Sequence, residues 1–322
     1  MADGKVIMIV GPPASGKSTL TKRNTRDLRY IVLNRDTEGG KVSKLLGVLK
    51  MWHAQGHRHF ILDNTHGTAK ARKPFIDLAH ELGMEIEAHV QVATIEQCQF
   101  LAARRMIKRY GELLDNKAIK DLKGRDPNMF PPIAQYAYFK RYEEPSPEEG
   151  FDAIHRNPLT IGLGPEYVNK AVLLDYDGTL RETHSGEILP RTPDDVKVLP
   201  NRTEVLNRYK ADGYRLLGVS NQSGCSRDPD HDFYVSPENA EAGLQRTDDL
   251  LGVEIEHTFC PHKAGVPQCY CRKPMPGRGV EFIEKYKLNP GDCIMVGDLK
   301  SDATFAQRCG FQFVHADEFF KG

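Results

Sequence analysis

The chain has 322 residues, 39% of them hydrophobic and 27% charged, which is enough for two ordinary domains with separate cores. No apolar run has the length needed to cross a bilayer, and "MADGKVIMIV" leads straight into a functional loop, not a cleavable signal; a cytoplasmic protein without a membrane partner is expected. A formal net charge of zero argues against a general polyanion binder, yet residues 1–160 carry 25 basic and 19 acidic side chains and the remainder 19 and 25, so any nucleic-acid surface belongs to the first half.

In chain order, "KVIMIV", "YIVL", "HFILD" and "IEAHVQV" read as buried strands. Between them, "GKSTLTKRNTRDL", "KVSKLLGVLKMWHAQG", "TAKARKPFIDLAHELG" and "TIEQCQFLAARRMIKRYGEL" repeat apolar residues at helical spacing. That alternation predicts a parallel α/β sheet, with "FDAIHR" as its last strand. The turn-rich "EEPSPEEG" precedes that strand, and "NPLTIGLGPEYVNK" has the Pro/Gly content of an interdomain connection. The expected organisation is a domain over 1–160, a linker over 161–170 and a second domain over 171–322. In the latter the α/β pattern restarts with "KAVLLDYDGTL", "RLLGVSNQSG", "EIEHTFC", "DCIMVGD" and "FQFVHAD".

The first strand runs into "GPPASGKST", which matches G-x-x-x-x-G-K-[ST] through Gly11, Gly16, Lys17 and Ser18. A loop between strand and helix surrounds phosphate with backbone N–H groups, Lys17 adds a point charge and Ser18 can hold Mg²⁺. Ser15 and Thr19 complete the expected ATP-binding set. Asp36 after the second strand and Asp63, Asn64 and Thr65 after the third belong to the same sheet edge, where a carboxylate can accept a hydroxyl proton during phosphoryl transfer. Helix capping is the alternative reading of Asp36 and Asn64. Arg105 and Arg109 are four apart on one helix face and can clamp phosphates as a lid, a solvent-facing basic stripe being the alternative.

"GPPASGKST", "NRDTEGG", "DNTHGTAKARKPFIDLAHELG", "TIEQ" and "YEEPSPEEGFDAI" together resemble the kinase domain of the animal polynucleotide kinase 3′-phosphatases over about 150 residues. The resemblance implies transfer of the ATP γ-phosphate to a 5′-hydroxyl of DNA or RNA, with Asp36 as general base and Asp63 as an acceptor-side contact. The bacteriophage end-healing kinases share the plan but carry arginine where this chain has Gly39, leaving Arg35, Lys41 and Arg72 as candidates to grip the acceptor.

In the second half, Asp175 and Asp177 are two apart beside a buried strand and can converge on one phosphate as nucleophile and acid/base. Asp298 and Asp302 in "MVGDLKSDATFA" offer further hard oxygens, so that the four aspartates form the expected Mg²⁺ set. Lys273 in "CRKPMPG" and Ser220 and Asn221 in "GVSNQSG" are expected on the phosphoryl group. D-x-D-G-T with these partners resembles the haloacid dehalogenase superfamily of phosphatases. Seven cysteines without secretory context argue against a disulfide framework, and Cys260, His262, Cys269 and Cys271 within twelve residues suit structural Zn²⁺. This stretch also resembles the zinc loop of the histidinol-phosphate and heptose-bisphosphate phosphatases.

The expected fold is therefore α/β with a P-loop kinase domain followed by a haloacid dehalogenase-like Rossmannoid domain. The expected function is end healing: a 5′-kinase and a 3′-phosphatase using ATP and Mg²⁺, acting on DNA or RNA ends before a ligase. A sugar or nucleoside kinase fused to a sugar-phosphate or histidinol-phosphate phosphatase is the alternative.

Overall fold

A computed structural model of the chain describes residues 4–25, 30–122, 125–265 and 269–321. The end of the first expected helix, at residues 26–28, lies outside them, as does part of the cysteine-rich loop at 266–268. The chain divides into two compact units, one of residues 1–101 and 122–161, the other of residues 102–121 and 162–322.

The first unit begins with β1 (Lys5–Val10), α1 (Lys17–Asn24), β2 (Ile31–Leu33), α2 (Arg35–Glu38), α3 (Lys44–Ala54), β3 (His59–Asp63), α4 (Ala69–Glu81) and β4 (Glu85–Val92). Then follow α5 (Ile95–Tyr110), which runs on into the second unit, and α6 (Asn116–Asp121) of that unit, before α7 (Ile133–Arg141) and β5 (Ala153–Pro158) complete the first. All five strands are parallel, in the order β2-β3-β1-β4-β5. β1 is central and buried on both faces, which is why it reads as a continuous apolar run and not as an alternation. One face packs Val6, Met8, Val10, Phe60 and Leu62 with Phe75 and Leu78 of α4; the other sets Ile7, Ile9 and Ile61 against Leu20 of α1.

The second unit contains β6 (Ala171–Leu174), β7 (Arg181–Thr183), β8 (Val196–Val198), α8 (Arg202–Ala211), β9 (Arg215–Asn221), α9 (Pro237–Leu251) and β10 (Glu256–Cys260). It ends with α10 (Gly277–Tyr286), β11 (Ile294–Gly297), α11 (Lys300–Cys309), β12 (Gln312–His315) and α12 (Ala316–Phe319). Its parallel sheet has the order β10-β9-β6-β11-β12, and β7 and β8 form a small antiparallel ribbon outside it. Every strand expected from the sequence is present; the ribbon, α2, α6 and α7 are additions too short or too polar to announce themselves by periodicity.

The expected boundary near 160 assigns 102–121 to the first half, whereas these residues group with the second unit. Their side chains give the reason. Arg104 pairs through Nε with Glu284 Oε1 at 2.5 Å, Tyr167 donates to Glu284 Oε2 at 2.7 Å, and Leu113 packs on the cysteine cluster. Among the described residues no helix is long and apolar enough to cross a membrane.

Candidate active sites

Because β2, β3 and β1 are neighbours and parallel, the segments leaving them emerge at one edge of the first sheet. The loop after β1 turns into α1 at Gly16, whose φ of 84° is left-handed and suits glycine. Lys17 Nζ donates to Pro12 O at 2.7 Å, folding the ammonium over its own loop, while Ser15 is buried with an Oγ that has no hydrogen-bond partner. An unpaired buried hydroxyl at a helix N-terminus fits a loop whose partner is phosphate.

Asp36 sits in the short helix α2, but Asn34, not Asp36, is its cap: the Asn34 side chain accepts from Asp36 N at 2.7 Å. The Asp36 carboxylate is thereby released from capping and pairs with Arg35 at 3.0 Å. Asn64 Oδ1 accepts from Arg35 N at 3.3 Å, tying the β2 and β3 exits together, and Asp63 is buried at the end of β3.

Arg72 corrects the expectation that it grips substrate. It is fully buried, forks onto Glu149 through Nε and Nη2 at 2.7 and 2.6 Å, and donates from Nη1 to His66 O and Glu143 O. Helical periodicity places Arg72 on a helix, but the acid that claims it is 77 residues away in sequence. Arg105 and Arg109 lie on α5 in the segment that groups with the second unit.

In the second unit Asp175 follows β6, Asp298 follows β11 and Asp302 opens α11; one oxygen from each lies within 4.8 Å of the others. Two glycines permit this. A Cβ on Gly178, whose φ is +80°, would meet Asp298 Oδ2 at 2.4 Å, and one on Gly297 would meet the Asp302 Cβ at 2.5 Å. Lys273 reaches into the cluster, 2.6 Å from Asp175 Oδ1 and 2.8 Å from Asp302 Oδ1. Burial, with Asp302 and Asp177 adding repulsion against the pull of Lys273, pushes the Asp175 carboxyl up to about 7. Burial works against the Lys273 charge, but Asp175 and Asp302 outweigh it and raise its pKa. Three hard carboxylates gathered at one point, with one amine for partial neutralisation, suit Mg²⁺ as a donor set.

Asp177 does not join the metal trio, contrary to the expected set of four. Its Oδ1 accepts from Arg181 Nε at 2.8 Å and its Oδ2 from Gln222 Nε2 at 2.8 Å, so each oxygen already holds a side-chain donor. Asn221 is likewise engaged elsewhere. It accepts from Lys273 N at 2.9 Å and donates to Lys273 O at 3.1 Å, clasping that backbone instead of pointing at phosphate. Ser220 is buried and accepts from Gln222 at 2.8 Å. Arg181 and Gln222 were not anticipated; Gln222 stood inside "SNQSG", and Arg181 stands only four residues from Asp177, while its other contact, Thr247, is brought to it by folding.

Cys260, His262, Cys269 and Cys271 form a second cluster. Sulfur–sulfur separations are 3.8 Å for Cys260–Cys269 and 3.3 Å for Cys260–Cys271, and His262 Nδ1 is 3.4 and 3.2 Å from Cys260 and Cys271. A tetrahedron with Zn–S bonds of about 2.3 Å has edges of about 3.8 Å, so these donors fit zinc geometry, and they are far too long for disulfides.

Comparison with known proteins matches residues 6–125 to the AAA domain and 187–310 to the haloacid dehalogenase-like hydrolases. A probable D-glycero-D-manno-heptose-1,7-bisphosphate 7-phosphatase from Thermoplasma volcanium is 32% identical over 148 residues, 45% of this chain and 96% of that protein. The D-glycero-beta-D-manno-heptose-1,7-bisphosphate 7-phosphatase of Pasteurella multocida is 33% identical over 143 residues, 42% of this chain and 74% of that protein. A solved chain of the Pnkp1/Rnl/Hen1 RNA repair complex aligns with 97% of this chain and 95% of its own at 17% identity and a TM-score of 0.30.

Proposed function

Since the chain belongs, through its second unit, to the haloacid dehalogenase-like hydrolases and joins that unit to a kinase-like P-loop domain, we propose that it heals nucleic-acid ends. One unit phosphorylates 5′-hydroxyls from ATP and the other removes 3′-phosphates. The observation that carries this reading is that one chain holds both a G-x-x-x-x-G-K-[ST] loop and a trio of aspartates with Lys273, each at the exits of parallel strands. A small basic excess in the first unit, 19 basic against 16 acidic side chains, and the sheet edge shared by the segments that carry the loop, Asp36 and Asp63 support a polynucleotide acceptor for the first.

In the kinase, Asp36 takes the proton of the attacking hydroxyl as its oxygen bonds to the γ-phosphorus and the bond to ADP breaks. Gly11, Ser15, Gly16, Lys17, Ser18 and Thr19 hold ATP, and Arg35 and Asn64 orient the acceptor. In the phosphatase, an Asp175 oxygen attacks phosphorus and Asp177 gives its proton to the leaving alkoxide; water then cleaves the aspartyl-phosphate while Asp177 takes a proton back. Mg²⁺ at Asp175, Asp298 and Asp302 supplies positive charge that offsets repulsion between carboxylates and phosphate. Lys273 contributes further positive charge and Ser220 a hydrogen bond. Zn²⁺ at the Cys₃His cluster stiffens the loop carrying Lys273 and does no chemistry.

An oligonucleotide with 5′-hydroxyl and 3′-phosphate ends, incubated with Mg²⁺ and labelled ATP, tests the reading. Label gained at one end and phosphate lost from the other are expected, with Asp36→Ala abolishing only the first and Asp175→Ala only the second. The heptose-bisphosphate relatives favour a second reading, a small sugar phosphate as the hydrolase substrate. Salt separates the two, because a polynucleotide loses affinity steeply with ionic strength and a small sugar does not.

A further inference from the structure

On the face of the first sheet that packs against α1, two histidines stand opposite each other. His89 of β4 and His155 of β5 are register partners, with ring centroids 4.7 Å apart. Glu87 precedes His89 by two residues and so shares its face. Its Oε2 lies 3.4 Å from Nε2 of His89 and 3.4 Å from Nε2 of His155. Lys5 Nζ takes the other oxygen, Oε1, at 2.7 Å, leaving Oε2 directed at the two rings. The three ligand atoms lie within 4.8 Å of one another. None of these residues serves either phosphate site.

We propose that Glu87, His89 and His155 form a second transition-metal site, suited to zinc and separate from the cysteine cluster. Two imidazoles and a carboxylate are borderline donors that zinc accepts, and hard cations such as Mg²⁺ prefer all-oxygen sets. His89 and Glu87 are largely buried while the His155 side chain is 51% exposed, so the set has an entry path and an open position at the His155 side. A supporting partner is also in place. Asn24 Nδ2 lies 3.2 Å from His89 Nδ1; turning this amide over, so that its oxygen accepts the Nδ1 proton, leaves the Nε2 lone pair for metal. Asn24 is the last residue of α1, the helix that starts at Lys17, and β5 is the edge strand. A bound ion therefore fastens the edge strand to its neighbour and, through Asn24, braces the far end of the ATP-loop helix.

The full chain, stripped of metal under reducing conditions, is titrated with Zn²⁺ against a chromophoric chelator beside His155→Ala and Glu87→Gln. Wild type is expected to bind one zinc more than either variant at micromolar free metal, with at least tenfold weaker binding at this site in the variants. Wild type should also gain thermal stability from this ion while His155→Ala does not. Equal stoichiometry in wild type and His155→Ala overturns the proposal, whatever the cysteine cluster binds. His155→Gln, which keeps a polar side chain at this half-exposed edge position, guards against misfolding and is expected to behave as His155→Ala does.

Discussion

Asn221 and Lys273 hold each other by a reciprocal pair of hydrogen bonds: Asn221 Oδ1 accepts from Lys273 N at 2.9 Å, and Asn221 Nδ2 donates to Lys273 O at 3.1 Å. Two bonds from one planar amide fix the backbone from which the ammonium reaches Asp175 and Asp302. Asn221→Ala should lower phosphatase kcat about tenfold to a hundredfold, as expected for a reacting group displaced by a fraction of an ångström. Kinase activity and circular dichroism should stay as in wild type. Phosphate release measured at saturating substrate checks this; an unchanged kcat would show that Lys273 needs no such clasp.

Gly178 gives a second prediction. Alanine there meets Asp298 Oδ2 at 2.4 Å in a left-handed turn, so the carboxylate must move away from Asp175 and Asp302. Gly178→Ala should raise the Mg²⁺ concentration for half-maximal phosphatase activity about tenfold or more, and a metal titration of the hydrolysis rate reads it.

Arg72 and Lys73 are sequence neighbours with opposite expectations. Arg72 is fully buried on Glu149 and two carbonyls, whereas Lys73 meets Asp77 at the surface with both side chains more than half exposed. Removing one partner of a buried pair costs about 3–5 kcal/mol, while an exposed pair is worth about 0–1 kcal/mol. Arg72→Ala should therefore destabilise the first unit strongly and Lys73→Ala hardly at all. Trp52, the single tryptophan, packs on the first core and reports denaturant unfolding of that unit alone.

His66 supplies a pH dependence. Burial, helped by the charges of Arg72 and Lys17, lowers its pKa from 6.5 to about 3, and neither ring nitrogen has a hydrogen-bond partner. Between these values the unfolded chain binds a proton that the folded chain refuses. The contribution of His66 to stability is thus complete above pH 6.5 and is lost progressively as pH falls toward 3, by about 1.4 kcal/mol per pH unit. His66→Asn, which tolerates the backbone φ of 43° there, should flatten the acid limb of the Trp52-detected stability profile.

The buried strands were legible because parallel sheets covered on both faces leave continuous apolar runs, and the loops after β1 and β6 were legible because their chemistry is written in consecutive residues. What could not be read depends on contacts between distant segments. Arg72 looked like a substrate clamp until Glu149 was folded onto it, and Asp177 looked like a metal ligand until Gln222, 45 residues away, was brought to its Oδ2. Asn221 was expected on the phosphoryl group, and the motif could not say that its amide faces the Lys273 backbone.

The helix α5 starts in the first unit, and from Ala102 onward its residues belong with the second. The two units are therefore not separable by a single cut. A fragment beginning at residue 162 would keep all four acids and Lys273 of the phosphatase yet leave Glu284, 8% exposed, without Arg104. Gene fission at the linker would leave residues 102–121 as a tail on one half and a buried Glu284 that keeps Tyr167 but loses Arg104 in the other, so a split that preserves this ion pair supplies residues 102–121 to the second half.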